Sequence, residues 1–169
     1  MLQIGDVNGD RRADIVISDY TFEGRTTGSG MARVFSSDRL DLQCATQRLS
    51  LFKGGQAVID VHGGAGHAGD LVLMVGSGSG TLPGIGFMGQ TLLLNPDPYL
   101  SFTLSAPLAL LYNNLSLLDA QGEGKVGFTL PPLSPTSLGG TVLHHSAILV
   151  GKQGLTFANT SVRLGLDLF

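Results

Sequence analysis

Glycine and proline interrupt this chain so often that no long helix has room to form. The clusters "KGG", "GSGSG", "NPDP", "DAQGEG" and "PPLSPTSLGG" recur through its second part, and apolar or alternating runs lie between them. Such short runs bounded by turn residues read as strands. Residues 46–52, 56–61, 70–76, 90–94, 99–104, 125–130, 141–150 and 161–169 are the predicted strands. "SVRLGLDLF" has the clearest period of two, which should set Val162, Leu164, Leu166 and Leu168 inside and Arg163 and Asp167 outside. No segment sustains a helical period. The expected fold class is all-β, an antiparallel β-sandwich of jelly-roll-like kind, preceded by a β-hairpin segment that carries a calcium loop.

Charge divides the chain. Residues 1–41 hold 12 of the 23 Asp, Glu, Lys and Arg, whereas from Leu71 to Leu118 the only formal charge is Asp97. Two regions follow, residues 1–41 and 42–169. With 43% hydrophobic residues the chain can bury a substantial core, roughly two-thirds of its unfolded surface at this length. The net charge of −3 comes with no basic stripe, so a nucleic-acid partner is not expected. Every apolar stretch is broken before the length of about 18 residues that a membrane helix needs. No basic-then-apolar signal segment opens the sequence, which leaves a cytosolic protein or a mature piece of a longer exported one. The single cysteine, Cys44, excludes an internal disulfide and reads as a small packed hydrophobe.

The N-terminal region carries the strongest chemical signal. In "IGDVNGDRRADIVISD", Asp6, Asn8, Asp10 and Asp14 stand at positions 1, 3, 5 and 9 of a candidate loop. Calcium takes six to eight oxygens at about 2.3–2.6 Å. These four side chains, with the backbone carbonyl of Arg12, are the expected ligands. A polar turn built on "NGD" is the alternative, but carboxylates this close repel unless a cation offsets them.

Catalytic patterns are weaker. "GIGFMG", residues 84–89, fits G-x-G-x-x-G but precedes no helix, and "GSGSG" lacks the central serine of a nucleophile elbow. His62 and His67, with Asp60, Asp70 or the pair His144 and His145, could in principle hold a transition metal; packed or hydrogen-bonded histidines are the commoner reading. No spacing favours a Ser-His-Asp triad. Asn114 and Asn159 head the two N-x-S/T tripeptides and are candidate glycosylation sites.

The acidic stretch together with "GSGMARVFSS" resembles one FG-GAP repeat, the blade unit of integrin-type β-propellers, over about residues 3–40. The resemblance implies calcium bound in the acidic loop; where the repeat carries Gly, this chain has Arg11. "LSLFKGGQAVIDVHGGAGHAGDLVLMVGSGSGTLPGI", "LLLNPDPYLSFTL", "LLDAQGEGKVGFTLPPLSPTSLGGTVLHHSAIL" and "FANTSVRLGL" resemble a C-terminal β-domain found after such repeats in large secreted proteins of planctomycete-like bacteria. That likeness spans about residues 46–168. It implies an extracellular or cell-surface location and supplies no catalytic residues.

A lone blade unit cannot bury both its faces. Residues 32–37 or 13–18 are therefore expected to be donated as a strand to a neighbouring copy, giving a homopolymer, fibre or surface layer. The expected function is a non-catalytic, calcium-binding structural protein, with glycans as further partners. The alternative is a carbohydrate- or partner-binding accessory domain at the end of a larger secreted propeller protein.

Overall fold

A computed structural model describes residues 2–5, 14–19, 31–35, 40–106, 108–152 and 154–169. The chain divides into two compact units, Met1–Arg39 and Leu40–Phe169.

The first unit is a three-stranded antiparallel sheet: β1 (Leu2–Gly5), β2 (Asp14–Asp19) and β3 (Met31–Phe35), in that order. β2 is central, so both its edges are taken. Of the two segments expected to serve as donors, 13–18 overlaps β2, which is paired on both sides, whereas among the described residues β3 pairs with β2 alone. Ile15 and Ile17 alternate along β2 on one face and remain 41% and 44% exposed.

The second unit opens with β4 (Asp41–Cys44), so Asp41 belongs here rather than with the acidic region before it. It continues through β5 (Arg48–Ser50), β6 (Gly55–His62), β7 (Leu71–Ser77), β8 (Ile85–Phe87) and β9 (Gln90–Leu92). A helix, α1 (Pro98–Ser105), then precedes β10 (Leu111–Tyr112), β11 (Leu115–Leu117) and β12 (Glu123–Leu130). The last strands are β13 (Val142–Gly151), β14 (Gly154–Phe157) and β15 (Val162–Asp167).

These strands form a four-stranded sheet, β10-β12-β6-β4, and a larger one, β11-β7-β13-β15-β5, in which β14 also pairs with β13. The pairing is antiparallel throughout except between β15 and β5. The all-β, sandwich-like class is thus the observed one. Inward residues at period two form the core: Ala57, Ile59 and Val61 of β6 and Val126 and Phe128 of β12 pack with Met74, Ala147, Leu149 and Leu164 of the other sheet. On β15, Val162, Leu164 and Leu166 are buried as the alternation requires. Leu168 is not: β15 ends at Asp167, and beyond it the side chain is 44% exposed.

The outer face of the larger sheet is also covered. Val75, Leu92, Leu94, Leu100 and Phe157 make a second apolar cluster, closed by α1 and the β8–β9 hairpin. This explains why β7 reads as a nearly continuous apolar run: it is buried on both sides.

Residues 98–105 form a helix where a strand over 99–104 is predicted from sequence. Asp97 caps it, its carboxylate accepting from Leu100 N at 2.7 Å, and Pro98 stands at the first turn, where its missing N–H costs nothing. The "DP" of "NPDP" is a helix start, not only a break. Strands β4, β8, β10, β11 and β14 have no counterpart in the sequence reading; most are three residues or shorter, or carry no alternation.

Candidate functional site

Asp6, Asn8, Asp10 and Arg12 lie outside the described residues, and of Asp14 only the backbone is described, as the first residue of β2. The register of β1 and β2 sets Gly5 opposite Asp14. Among the described residues no group of three His, Cys, Asp or Glu is gathered for a metal.

The histidines are partnered separately. On the four-stranded sheet His62 Nδ1 contacts Glu123 Oε2 across the β6–β12 register. His67 Nδ1 lies 2.8 Å from Asp70 Oδ2, and Asp70 rests against the α-carbon of Gly151, where an added Cβ would come within 1.8 Å of Oδ1. Asp60 pairs with Lys125. His145 is fully buried between Phe128 and Tyr99, with Nε2 2.9 Å from the Tyr99 hydroxyl. Burial, with the neighbouring His144 adding to it, pushes its pKa down to about 3. Burial likewise holds the Tyr99 phenol above its usual range, helped by the charge of Asp97. His145 is a neutral core side chain. His62, His67 and His145 are thus engaged separately, while the Nδ1 atoms of His144 and His145 have no hydrogen-bond partner among the described residues.

Asn114 is fully buried, and its Oδ1 accepts from Met74 N at 2.7 Å. The folded unit leaves no room for a glycan on that side chain. Asn159 is exposed, and its backbone N–H donates to Leu40 O.

The "GSGSG" turn is tied to the helix cap. Asp97 Oδ2 accepts from Ser77 Oγ, Gly78 N and Ser79 N at 2.7–2.8 Å, while Oδ1 takes Leu100 N. Burial alone would raise this carboxyl, but the bonds from Leu100, Ser77 and Ser79 outweigh it and bring the pKa down to about 2. Both carboxylate oxygens of Asp97 are engaged by the fold, so it is a clasp.

One concave site leaves several polar side chains unengaged. A cleft of about 560 Å³ opens beside β15, lined by Leu42, Cys44, Gln47, Arg48, Val142, Ser161, Val162, Arg163 and Gly165. It exists because β5 is only three residues long. β5 pairs with 165–167, so residues 162–164 have β13 on one side and no strand on the other. Its closed end is made by the 45–47 connection, where Gln47 O accepts from Gly165 N, and by residues 159–160, which are stitched to β4 through Thr160 Oγ1 and Leu42 N.

The cleft is electropositive. Arg48 and Arg163 line it, and among the described residues no Asp or Glu does. Arg48 makes an exposed pair with Asp167 at 3.1 Å, which holds it weakly. The side chains of Gln47, Ser161 and Arg163 make no hydrogen bond or ion pair with any described residue. The charge of Arg163 is felt across the sheet: His144, opposite it in register, has its pKa lowered by burial and then by that guanidinium. Cys44 Sγ donates to Thr46 O at 3.0 Å, and burial, with the charge of Asp60, pushes the thiol up, which leaves it a weak nucleophile. None of the lining residues forms an acid–base pair. The arrangement can hold a ligand.

Sequence reasoning passed over Gln47, Arg48 and Ser161, and treated Arg163 only as a solvent-facing strand residue. The available signal was weak: two arginines with small polar neighbours in a region otherwise poor in charge. Comparison of the chain with protein-family models, curated proteins and solved structures finds no match.

Proposed function

We propose that the second unit is a non-catalytic binding module, the accessory-domain reading of the sequence, and that the cleft beside β15 is its site. The observation that carries this is the cleft itself: a recess of about 560 Å³ in which the side chains of Gln47, Ser161 and Arg163 have no partner among the described residues and Arg48 has only an exposed pair with Asp167. That volume lies within the ligand-site range of about 300–1,000 Å³. Internal polar clusters elsewhere in the unit, at Asp97 and at His67, are closed by their own hydrogen bonds.

The test is to fill the recess. A Cβ at Gly165 would stand in ordinary contact, 3.6 Å from Arg48 Cγ, so the backbone accepts a side chain there and a longer one enters the cleft. Gly165→Leu should leave the fold intact by circular dichroism and abolish retention on a glycan or peptide array of whatever the parent chain retains. An unchanged retention pattern would remove the cleft from consideration.

A second reading, assembly of copies into a fibre at a cell surface, is favoured by β3, which among the described residues pairs with β2 alone, and by the exposure of Ile15 and Ile17. The edges of the larger unit support it less, because they are two to four residues long and β4 is bonded to Thr160 along its outer side. Sedimentation of the full chain with and without calcium tests this reading and the metal together. A monomer at high concentration in both conditions removes assembly, and a melting temperature that a chelator does not lower removes calcium.

A further inference from the structure

We infer that the occupant of the cleft is a short extended peptide segment carrying an acidic side chain, added as a strand to the open half of β15; this rests on the binding-module reading above. Three observations carry it.

The first is the direction of the backbone. Gly165 N donates to Gln47 O on the β5 side, and Leu166 N donates to Thr141 O on the β13 side. Backbone groups alternate along a strand, so the N–H and C=O of Arg163 face the same way as those of Gly165, into the cleft. An incoming strand residue opposite Arg163 can exchange both bonds with it. The window is residues 162–164, a length of about 10 Å at strand rise, which suits a segment of about three residues.

The second is charge. Arg163, Gly165 and Asp167 share the face of β15 opposite to its buried leucines, and Arg48 stands beside Gly165 in the parallel register. The two guanidinium groups therefore flank the strand slot, with no acidic lining residue between them. An acidic side chain on the added strand meets the Arg163 guanidinium, which has no partner among the described residues, and competes with Asp167 for Arg48; arginine is better suited than lysine to hold a carboxylate in this way.

The third separates a peptide from a neutral sugar. Sugar rings are held largely by stacking on aromatic faces, and no Phe, Tyr or His lines this cleft. What it presents instead is a strand edge and two cations, the elements of peptide recognition by strand addition.

The experiment uses the full chain labelled with ¹⁵N and three blocked pentapeptides: Thr-Val-Asp-Val-Thr, the same with Asn for Asp, and the first N-methylated at the Asp. The acidic peptide should shift the amide signals of Arg163 and Gly165 and slow alkylation of Cys44. The Asn and N-methyl forms should each bind at least tenfold more weakly. Arg163→Gln should lose the preference for Asp over Asn while its spectrum stays folded. If oligogalacturonate shifts the same amides and the peptide does not, the peptide inference falls and the binding-module reading stands. If the Asn peptide binds as well as the acidic one, the charge argument falls. If neither peptide nor any array ligand perturbs these amides, and Gly165→Leu changes nothing, both fall together.

Discussion

Two polar clusters in the larger unit sit at opposite extremes of hydrogen-bond satisfaction. At Asp97 one carboxylate collects four donors from the "GSGSG" turn and the first turn of α1. In the cleft beside β15, two arginines, an amide and a hydroxyl face a recess, and only Arg48 has an internal partner. The first cluster spends its polarity on the fold; the second withholds it. A residue's type therefore says little about its role until its partners are counted.

The baseline for that contrast is the apolar core, where the largest loss is expected. Leu166→Ala should cost about 2–5 kcal/mol in urea unfolding, because Leu166 is buried to 2% exposure. Leu168→Ala should cost less than about 1 kcal/mol, since the strand has ended and the side chain is half out of the protein. Equal costs for the two would mean that the inward register of β15 runs further than Asp167.

Asp97→Ala comes next. It removes a helix cap and strands the donors of Ser77, Gly78 and Ser79, for an expected loss of about 2–3 kcal/mol. The parent carboxyl, held down at about 2, contributes stability that is present above its ordinary 3.8 and is lost as pH falls through about 2. The variant's unfolding free energy should lack that acid limb. A variant with an unchanged limb would show that the clasp is not where the protons are taken up.

His145 gives a wider pH window of the same sign. Its imidazole is neutral in the fold down to about 3 but takes a proton at its ordinary 6.5 once unfolded. Stability should therefore decline from about pH 6.5 downward and level off near 3. His145→Leu should flatten the curve across that interval while leaving the Asp97 limb. Persistence of the slope would assign it elsewhere.

The smallest effect is predicted at the cleft. Arg163→Gln and Ser161→Ala should each change stability by no more than about 0.5 kcal/mol, because neither side chain has an internal partner to lose. A large loss at either position would collapse the contrast and make the cleft a second clasp.

Much of the fold was legible because alternation is a local signal. The runs that became β6, β12 and β15 are long enough to show it, while β7 and β13 are marked by apolar runs between turn clusters. The helix was missed because Tyr99, Leu100, Phe102 and Leu104 also satisfy a strand pattern over so short a span, and Asp97 with Pro98 was read as punctuation. Short strands such as β10 and β11 are defined by their partners, not by their own residues. The cleft was invisible for a deeper reason. It depends on where β5 starts relative to β15, a pairing across more than a hundred residues that no local pattern records.

That pairing also orders events in time. Arg48 meets Asp167 across 119 positions, and Leu42 meets Thr160 across 118. β5 must wait for its partner strand until β15 has been made, and contacts so distant in sequence are slow to form. The walls of the cleft come from these two extremes, β4 and β5 on one side and β15 on the other. A chain truncated before β15 has no recess to fill, so occupancy by a ligand would report that β15 has been made and the sheet has closed.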